Sequence, residues 1–494
     1  MSFLGLDIGT SGCKAVVFAR DERILGESYR PYQVSSPQLG WDELDSRAVV
    51  ESCCQVISEA AKQASSDPVV ALAISSQGEA FTPIGNDGSY LGNAMVSSDI
   101  RSSDVMNDFV AEFGLERLYG ITGHTPSPLF SLFKLLWIKR FQPDVWRKSA
   151  KFLCFEDLMH QRLGLDPAMG WPLAGRTMLF DIERHAWSQE ILAAADLDEK
   201  RLARPLPSGA LVGIIPQSVA RDLGLPNGVK VAAGGHDQTI GALGAGVLRQ
   251  GQAMYAAGTV ECICPIMPRA FKTEKLRANN LCCYDYSVQG WYTSVAYSLT
   301  GSNLLAYFKE QFGTGRSYRE LIGEFPEKPS RLLTLPYFTP SGTPYFDQHT
   351  PGAVLGWRLN TSRGELMKAL VEGVAMEMRL NLELLRESGV EINTLIATGG
   401  GSRDRRLLQV KADILGAAIR PLGVDQAGCL GAARLARSAA DQIPLADIIG
   451  TRDQVAGEVM PNPEHQELYA RKFQDYRSFY TGLKLICSGI HSNW

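Results

Sequence analysis

The sequence contains ten cysteines but no pair in a C-x-x-C spacing. Zinc modules rest on such pairs, or on one pair with spaced histidines, so the thiols read as reduced residues packed in cores. Nor is there any apolar run near the ~18 residues a membrane helix requires. The opening MSFLGLDIGTSGCK lacks the basic start and apolar core of a secretion signal and reads as a strand. No charge sign dominates: 49 basic against 53 acidic residues leave a net −4. That balance gives no electrostatic reason to expect nucleic acid or an anionic membrane as partner. The expectation is a soluble, cytoplasmic protein whose 494 residues suffice for two or more domains with buried cores.

Apolar periodicity then sets out an α/β chain. Phe3 to Ile8 and Lys14 to Ala19 read as strands joined by the turn Gly9–Thr10–Ser11–Gly12, and Ile24–Leu25 as a further short strand. This is an antiparallel meander, not the strand–loop–helix of a P-loop. Ser46 to Ala64 has helical spacing and Val69 to Ser75 reads as a strand. A second cycle starts near residue 229: strand Val229 to Ala233, a turn at Gly234–Gly235–His236–Asp237, and a small-residue helix. Met254 to Ala257, Gly258–Thr259 and Val260 to Ile266 repeat the strand–Gly–Thr–strand plan of the amino terminus. Glu365 to Arg386 reads as a long helix, Ile392 to Thr398 as a strand and Arg405 to Leu415 as a helix. Two similar α/β halves point to an internal duplication, divided into 1–246 and 247–494. No low-complexity linker marks the join, so the halves are expected to share an interface.

Three glycine turns at strand ends suggest a nucleotide. In Asp7-Ile8-Gly9-Thr10-Ser11 with Lys14, the turn exposes backbone N–H groups and hydroxyls to a phosphate, Asp7 could position Mg²⁺ through water, and Lys14 adds charge. Gly258-Thr259 is the second such turn, and Gly399-Gly400-Gly401-Ser402, ahead of a helix, is the third. Asp237 follows Gly234-Gly235-His236 at a helix start, where the helix dipole would keep it ionised and able to take a proton from a hydroxyl. Alone, it could equally be an N-cap, and His236 reads as structural. Ser76-Gln77-Gly78-Glu79 and Asp99-Ile100-Arg101 are polar clusters suited to a polyhydroxylated ligand, or to solvated loops.

From Leu4 to about Tyr480 the chain resembles the FGGY carbohydrate kinases of the actin-like ATPase superfamily. The resemblance is carried by D-I-G-T-S with Lys14, G-W-D-E-L-D at Gly40 to Asp45, Asp99-x-Arg101 and G-G-H-D. It continues through the G-T turn at Gly258, the G-G-G-S turn and the closing D-Q-A-G-C-L-G-A-A. It implies two ribonuclease-H-like domains with a cleft between them, ATP and Mg²⁺ as cofactors, and a small sugar or polyol, a pentulose foremost, as acceptor. By the same resemblance, Asp237 is the general base and touches the acceptor, and Asp7 helps hold Mg²⁺. Gly9, Thr10, Ser11, Lys14, Gly258, Thr259, Gly301, Gly400 and Gly401 would surround ATP. Gln77, Glu79, Asp99 and Arg101 would contact the sugar. A homodimer is a further expectation, though no motif sets the oligomeric state. The sequence departs from the family mainly around the sugar. Gly78 stands where members that phosphorylate glycerol carry an arginine, Glu79 where xylulokinases have histidine, and Ser97 where the family has tryptophan. Pro172 to Thr177 lacks an upstream aspartate, and Arg405 replaces an asparagine near adenine. The rival readings are a chaperone-like actin-fold protein and a sugar sensor without turnover.

Overall fold

The computed structural model describes residues 1–423, 426–449 and 457–490. The first half opens with β1 (Ser2–Ile8), β2 (Gly12–Phe18) and β3 (Ile24–Pro31), followed by α1 (Ser46–Gln63) and β4 (Val69–Ser76). β1 and β2 are buried almost along their whole length, while Asp45 caps α1 by accepting the Arg47 and Ala48 N–H groups. Val49, Cys53, Val56, Ile57 and Ala60, at helical spacing, turn one face of α1 into the core. β3 is longer than its two apolar residues suggest. It is an edge strand held by its backbone pairing to β2 from Gly12↔Pro31 to Phe18↔Ile24, so its polar side chains can face water.

The half continues through α2 (Phe155–Arg162), α3 (Trp171–Gly175), β5 (Leu211–Ile214), β6 (Lys230–His236) and α4 (Asp237–Gly244). Its six-stranded sheet runs β5-β6-β4-β1-β2-β3, with β1 antiparallel to β2 and parallel to β4, and β6 parallel to β4. Where the sequence suggests a turn, β6 in fact runs through Gly234 and Gly235 to His236. A bulge carries the strand past β4 so closely that a Cβ on Gly234 would lie 1.7 Å from the Ile74 carbonyl oxygen. Only glycine fits there.

The second half repeats the plan with β7 (Gly251–Ala257), β8 (Glu261–Met267), β9 (Ala296–Ser298), α5 (Ser302–Phe312), α6 (Arg363–Glu387), β10 (Ile392–Thr398), α7 (Arg405–Leu415) and β11 (Ala418–Pro421). β7 is antiparallel to β8 and parallel to β10, and β10 is parallel to β11, as β1, β2, β4 and β6 are related in the first sheet. The chain closes with α8 (Ala427–Asp441) and α9 (Pro463–Ile490).

Although it follows the second sheet in sequence, α8 packs on the first. Cys429, Leu430, Ala433 and Leu435 share a core with Phe3, Val16, Ala71 and Ile240. Small residues allow backbone-on-backbone contact there. A Cβ on Gly5 would lie 1.8 Å from the Cys429 carbonyl oxygen, one on Gly244 1.9 Å from that of Ala427, and one on Gly431 2.0 Å from that of Ile240. Arg434 fastens this crossing by donating to the Leu243 and Gly244 carbonyls and pairing with Glu22. Among the described residues no helix is long and apolar enough to cross a membrane.

Candidate active site

The turn between β1 and β2 is a compact scaffold. Gly9 N–H donates to the Gly12 carbonyl (3.0 Å), and the Gly9 carbonyl accepts from the Tyr32 hydroxyl (2.7 Å) and Gln77 Nε2 (3.0 Å). Thr10 Oγ1 donates to Gln77 Oε1 (3.2 Å), so buried Gln77 braces the turn while Thr10 and Ser11 stay exposed. At the end of β1, Asp7 lies opposite Lys14 and accepts from Ser75 Oγ (2.6 Å). Burial pushes its carboxyl up, against the pull of Ser75 and Lys14. Gly428 of α8 closes over it: a Cβ there would sit 2.9 Å from Asp7 Cγ. Asp425, the first residue of the closing D-Q-A-G segment, lies outside the described residues.

Asp237 is the first residue of α4, and His236 takes the N-cap position. Its carboxyl is 31% exposed and lies 3.3 Å from His236 Nε2. The helix dipole expected to keep it ionised is opposed by its surroundings. Burial, then the charges of Asp7 and Glu79, push it up to about 8, outweighing one eight-residue helix. His236 is engaged with protein: its Nδ1 shares a hydrogen bond with the Tyr284 hydroxyl (2.9 Å), and burial favours the neutral ring.

Beside Asp237 lies a buried acid–base pair. Glu79 adopts φ +64° and ion-pairs with Arg176, the residue capping α3, while Glu79 Oε2 accepts from Ser97 Oγ (2.7 Å). Asp99 and Arg101 are placed differently. Arg101 Nη2 meets Asp99 (2.6 Å) and Glu43 (2.8 Å), and its guanidinium lies 3.9 Å from the Trp41 ring centre. Asp99 also accepts the Asp42 N–H (2.8 Å). Both side chains are buried and engaged with protein groups.

The second hairpin turn, Gly258 to Val260, meets the other two glycine segments in one corner. Ser302 N–H donates to the Gly258 carbonyl (2.9 Å), and a Cβ on Gly301 would lie 2.8 Å from the carbonyl oxygens of Gly258 and Thr259. On Gly401 it would lie 3.0 Å from the Ala257 carbonyl oxygen, while Gly400 is open to solvent. An apolar pocket adjoins this corner, walled by Leu304, Leu370, Val374 and Leu407. The buried Lys411–Glu261 ion pair also lines it, and the Tyr255 hydroxyl donates to Glu261. Arg405 is exposed and reaches the Gly457 carbonyl (3.4 Å).

Residues 2–244 match the model of the FGGY carbohydrate kinase amino-terminal domain, and residues 281–440 match that of the carboxy-terminal domain. The chain belongs to the FGGY family of carbohydrate kinases. It is 25% identical over 486 residues to the xylulose kinase of Lactococcus lactis, covering 97% of this chain and 96% of that one. To the glycerol kinase of Thermococcus gammatolerans it is 28% identical, covering 89% of each. The crystal structure of a xyloylose kinase from Brucella ovis superposes with a TM-score of 0.90 at 26% identity, over 98% of this chain and 100% of that one. The chain is thus a sugar kinase, a phosphotransferase with an alcohol group as acceptor, built on the two-domain α/β fold of the family. Kinases of this family use ATP, typically with Mg²⁺.

In this FGGY kinase the sequence motifs account for both hairpin turns, Asp7, Asp237 and the glycine corner. They miss Arg176 and Tyr284. Arg176 stands in the P-L-A-G-R-T stretch remarked on only for a missing aspartate, and it meets Glu79 across 97 residues of sequence. No local periodicity marks such a pair. The empty side chain of Gly78 is the nearest signal: a Cβ there would lie 3.1 Å from His236 and 3.6 Å from Arg176.

Proposed function

We propose that this kinase transfers the γ-phosphate of ATP to a hydroxyl of a small ketose or polyol, a pentulose foremost, with Asp237 as general base. We divide it into residues 1–246, holding the sugar, the first phosphate turn and the base, and 247–494, holding the nucleotide. The observation that carries this reading is the meeting of Asp7, Asp237 and the Glu79–Arg176 pair beside the first turn. The xylulose kinases among its relatives support the choice of a pentulose.

Thr10, Ser11 and Lys14 would hold the transferred phosphate from one side and Gly258 and Thr259 from the other, while Gly301, Gly400 and Gly401 leave room for the rest of ATP. Phosphoryl transfer asks the protein mainly for alignment and neutral surroundings. Asp237 accepts the proton of the attacking hydroxyl, and the His236–Tyr284 bond fixes where the base stands. The donors suit Mg²⁺: it takes oxygen ligands, keeps several waters, and needs one or two carboxylates plus phosphate. Asp7 would hold it through water, with Ser75 fixing the carboxylate, and the ion would neutralise phosphate charge and favour ionised Asp7 and Asp237. Gln77 ties the sugar side to the phosphate turn through Gly9 and Thr10. Asp99 and Arg101 serve through the wall they form with Trp41 and Glu43.

ADP release, measured with ATP and Mg²⁺ across pentuloses, hexuloses, pentitols, tetritols and glycerol, tests this. One strongly preferred acceptor is expected, silenced in Asp237→Asn while nucleotide binding persists. An Asp237→Asn enzyme with near-normal turnover would refute the assignment of the base.

A further inference from the structure

The Glu79–Arg176 pair has features that a purely structural ion pair lacks. Both Arg176 Nε and Nη2 engage the same oxygen, Glu79 Oε1, and among the described residues no hydrogen-bond acceptor meets Nη1. The Arg176 side chain retains 13% exposure against 2% for Glu79, so the arginine is the member that reaches accessible space. Its guanidinium carbon lies 5.0 Å from the centre of the Phe130 ring and 5.8 Å from that of Tyr284, within reach of both aromatic faces. Tyr284 in turn bonds His236, the neighbour of the base. Nearby, His124 is 1% exposed, its ring lies 5.2 Å from that of Tyr284, and its Nε2 has no partner.

Two polar groups around Tyr284 are therefore unspent, Arg176 Nη1 and His124 Nε2. The charge around them is balanced. Glu79 neutralises Arg176, and burial, followed by the Arg176 charge, holds both His124 and His236 neutral. A neutral hydroxyl or carbonyl oxygen can satisfy Arg176 Nη1 without disturbing that balance. A carboxylate would bring an unmatched negative charge close to Glu79, Asp237 and Asp7, which is costly in a partly dehydrated site.

We propose that Arg176 is a specificity-determining residue that donates through Nη1 to an uncharged oxygen of the acceptor, and that Glu79, by neutralising it, excludes sugar acids. This rests on the sugar-kinase reading of the same pocket, and the experiment separates the two. ADP release is measured with matched neutral sugars and aldonates of equal carbon number, in the wild type, Arg176→Met, Arg176→Lys and Glu79→Gln. KM for ATP and ADP affinity by calorimetry report folding and nucleotide binding.

The wild type should favour the neutral acceptor over the aldonate by at least about 100-fold in kcat/KM. Arg176→Met should raise KM for the neutral acceptor at least about tenfold with KM for ATP within twofold, and Arg176→Lys should recover part of the loss. Glu79→Gln, which leaves the arginine charge unmatched, should move the aldonate-to-neutral ratio at least about tenfold toward the aldonate. The proposal is overturned by a wild type that prefers aldonates, by an unchanged sugar KM in Arg176→Met, or by an unchanged ratio in Glu79→Gln. Variants that lose ADP affinity leave the decision to the wild-type preference. A wild type active on neither class removes the sugar-kinase reading and this proposal together.

Discussion

The two hairpins that open the two halves share a backbone plan and differ in what surrounds them. At the first turn, three carboxylates are at hand: Asp7 on the strand, Asp237 on α4 and Glu79 beyond β4. At the second, the equivalent space is filled by backbone carbonyls of Ala257, Gly258 and Thr259, pressed against glycines, and by an apolar pocket. Among the described residues the only carboxylate lining that pocket, Glu261, is already paired with Lys411 and bonded by Tyr255. Two hairpins of one backbone plan thus have different neighbours, and the proposed function assigns the charged chemistry to the first and the fit of the nucleotide to the second.

Substitutions that break this division should have separable effects. The largest is expected at the first turn. Asp237→Asn should cut kcat by about 10³-fold, in the range for loss of a general base, with nucleotide affinity retained. Asp7→Asn should raise the Mg²⁺ concentration for half-maximal rate about tenfold, the low end of the range for a residue acting on a metal through another ligand. A magnesium titration of the initial rate checks this.

At the second turn the defect should appear in ATP binding instead. Gly301→Val, whose Cβ meets two carbonyl oxygens at 2.8 Å, should raise KM for ATP about tenfold and leave the sugar KM within twofold. Gly9→Ala is the control, since its Cβ meets nothing nearer than 3.4 Å, and the protein should fold with unchanged thermal stability. Equal effects of Gly301→Val on both substrates would show that the division does not hold.

The floor of the pocket predicts a stability effect without a chemical one. Lys411→Met leaves Glu261 buried and unpaired, at a cost of about 3–5 kcal/mol, read by denaturant unfolding. Replacing both members together should recover most of it.

The smallest effects concern one buried carboxyl in each half. Glu156 on α2 accepts the Gly170 and Gly234 N–H groups, and burial pushes it up to about 8. Glu377 on α6 accepts from Tyr337 and Tyr476, and burial pushes it up to about 7. From the ordinary value of 4.5 upward, each binds its proton more tightly folded than unfolded. Their contribution is therefore largest at low pH and declines as pH rises, to about 7 for Glu377 and about 8 for Glu156. Glu377→Gln should flatten the unfolding free energy between pH 4.5 and 7, and Glu156→Gln between pH 4.5 and 8.

How much of this was legible in the sequence follows from the range of each signal. The hairpins, α6, β10 and α7 emerge within three residues of their expected limits, because apolar periodicity and glycine turns are local. β3 and the glycine-rich end of β6 were misread because strand pairing decided them, not composition. In the site, Asp7, Asp237 and the glycine corner sit in local motifs. Arg176, Tyr284 and His124 meet partners far along the chain, and the raised carboxyl of Asp237 depends first on burial and then on charges brought in by Asp7 and Glu79. Asp99 and Arg101 illustrate the converse: a recognisable motif whose side chains are spent on one another.

The crossing of α4 and α8 also has a meaning for the order in which this protein is made. The back of the first sheet, with Phe3, Val16 and Ala71, and Ile240 of α4 beside it, are covered by a helix that ends at residue 441. A ribosome therefore releases the first half long before its cover exists, and that apolar face waits, open to misassociation, for some two hundred residues of further synthesis. By the same reasoning, a fragment ending at residue 246 would carry the proposed base and proposed first phosphate turn on a sheet whose back keeps α4 but lacks α8.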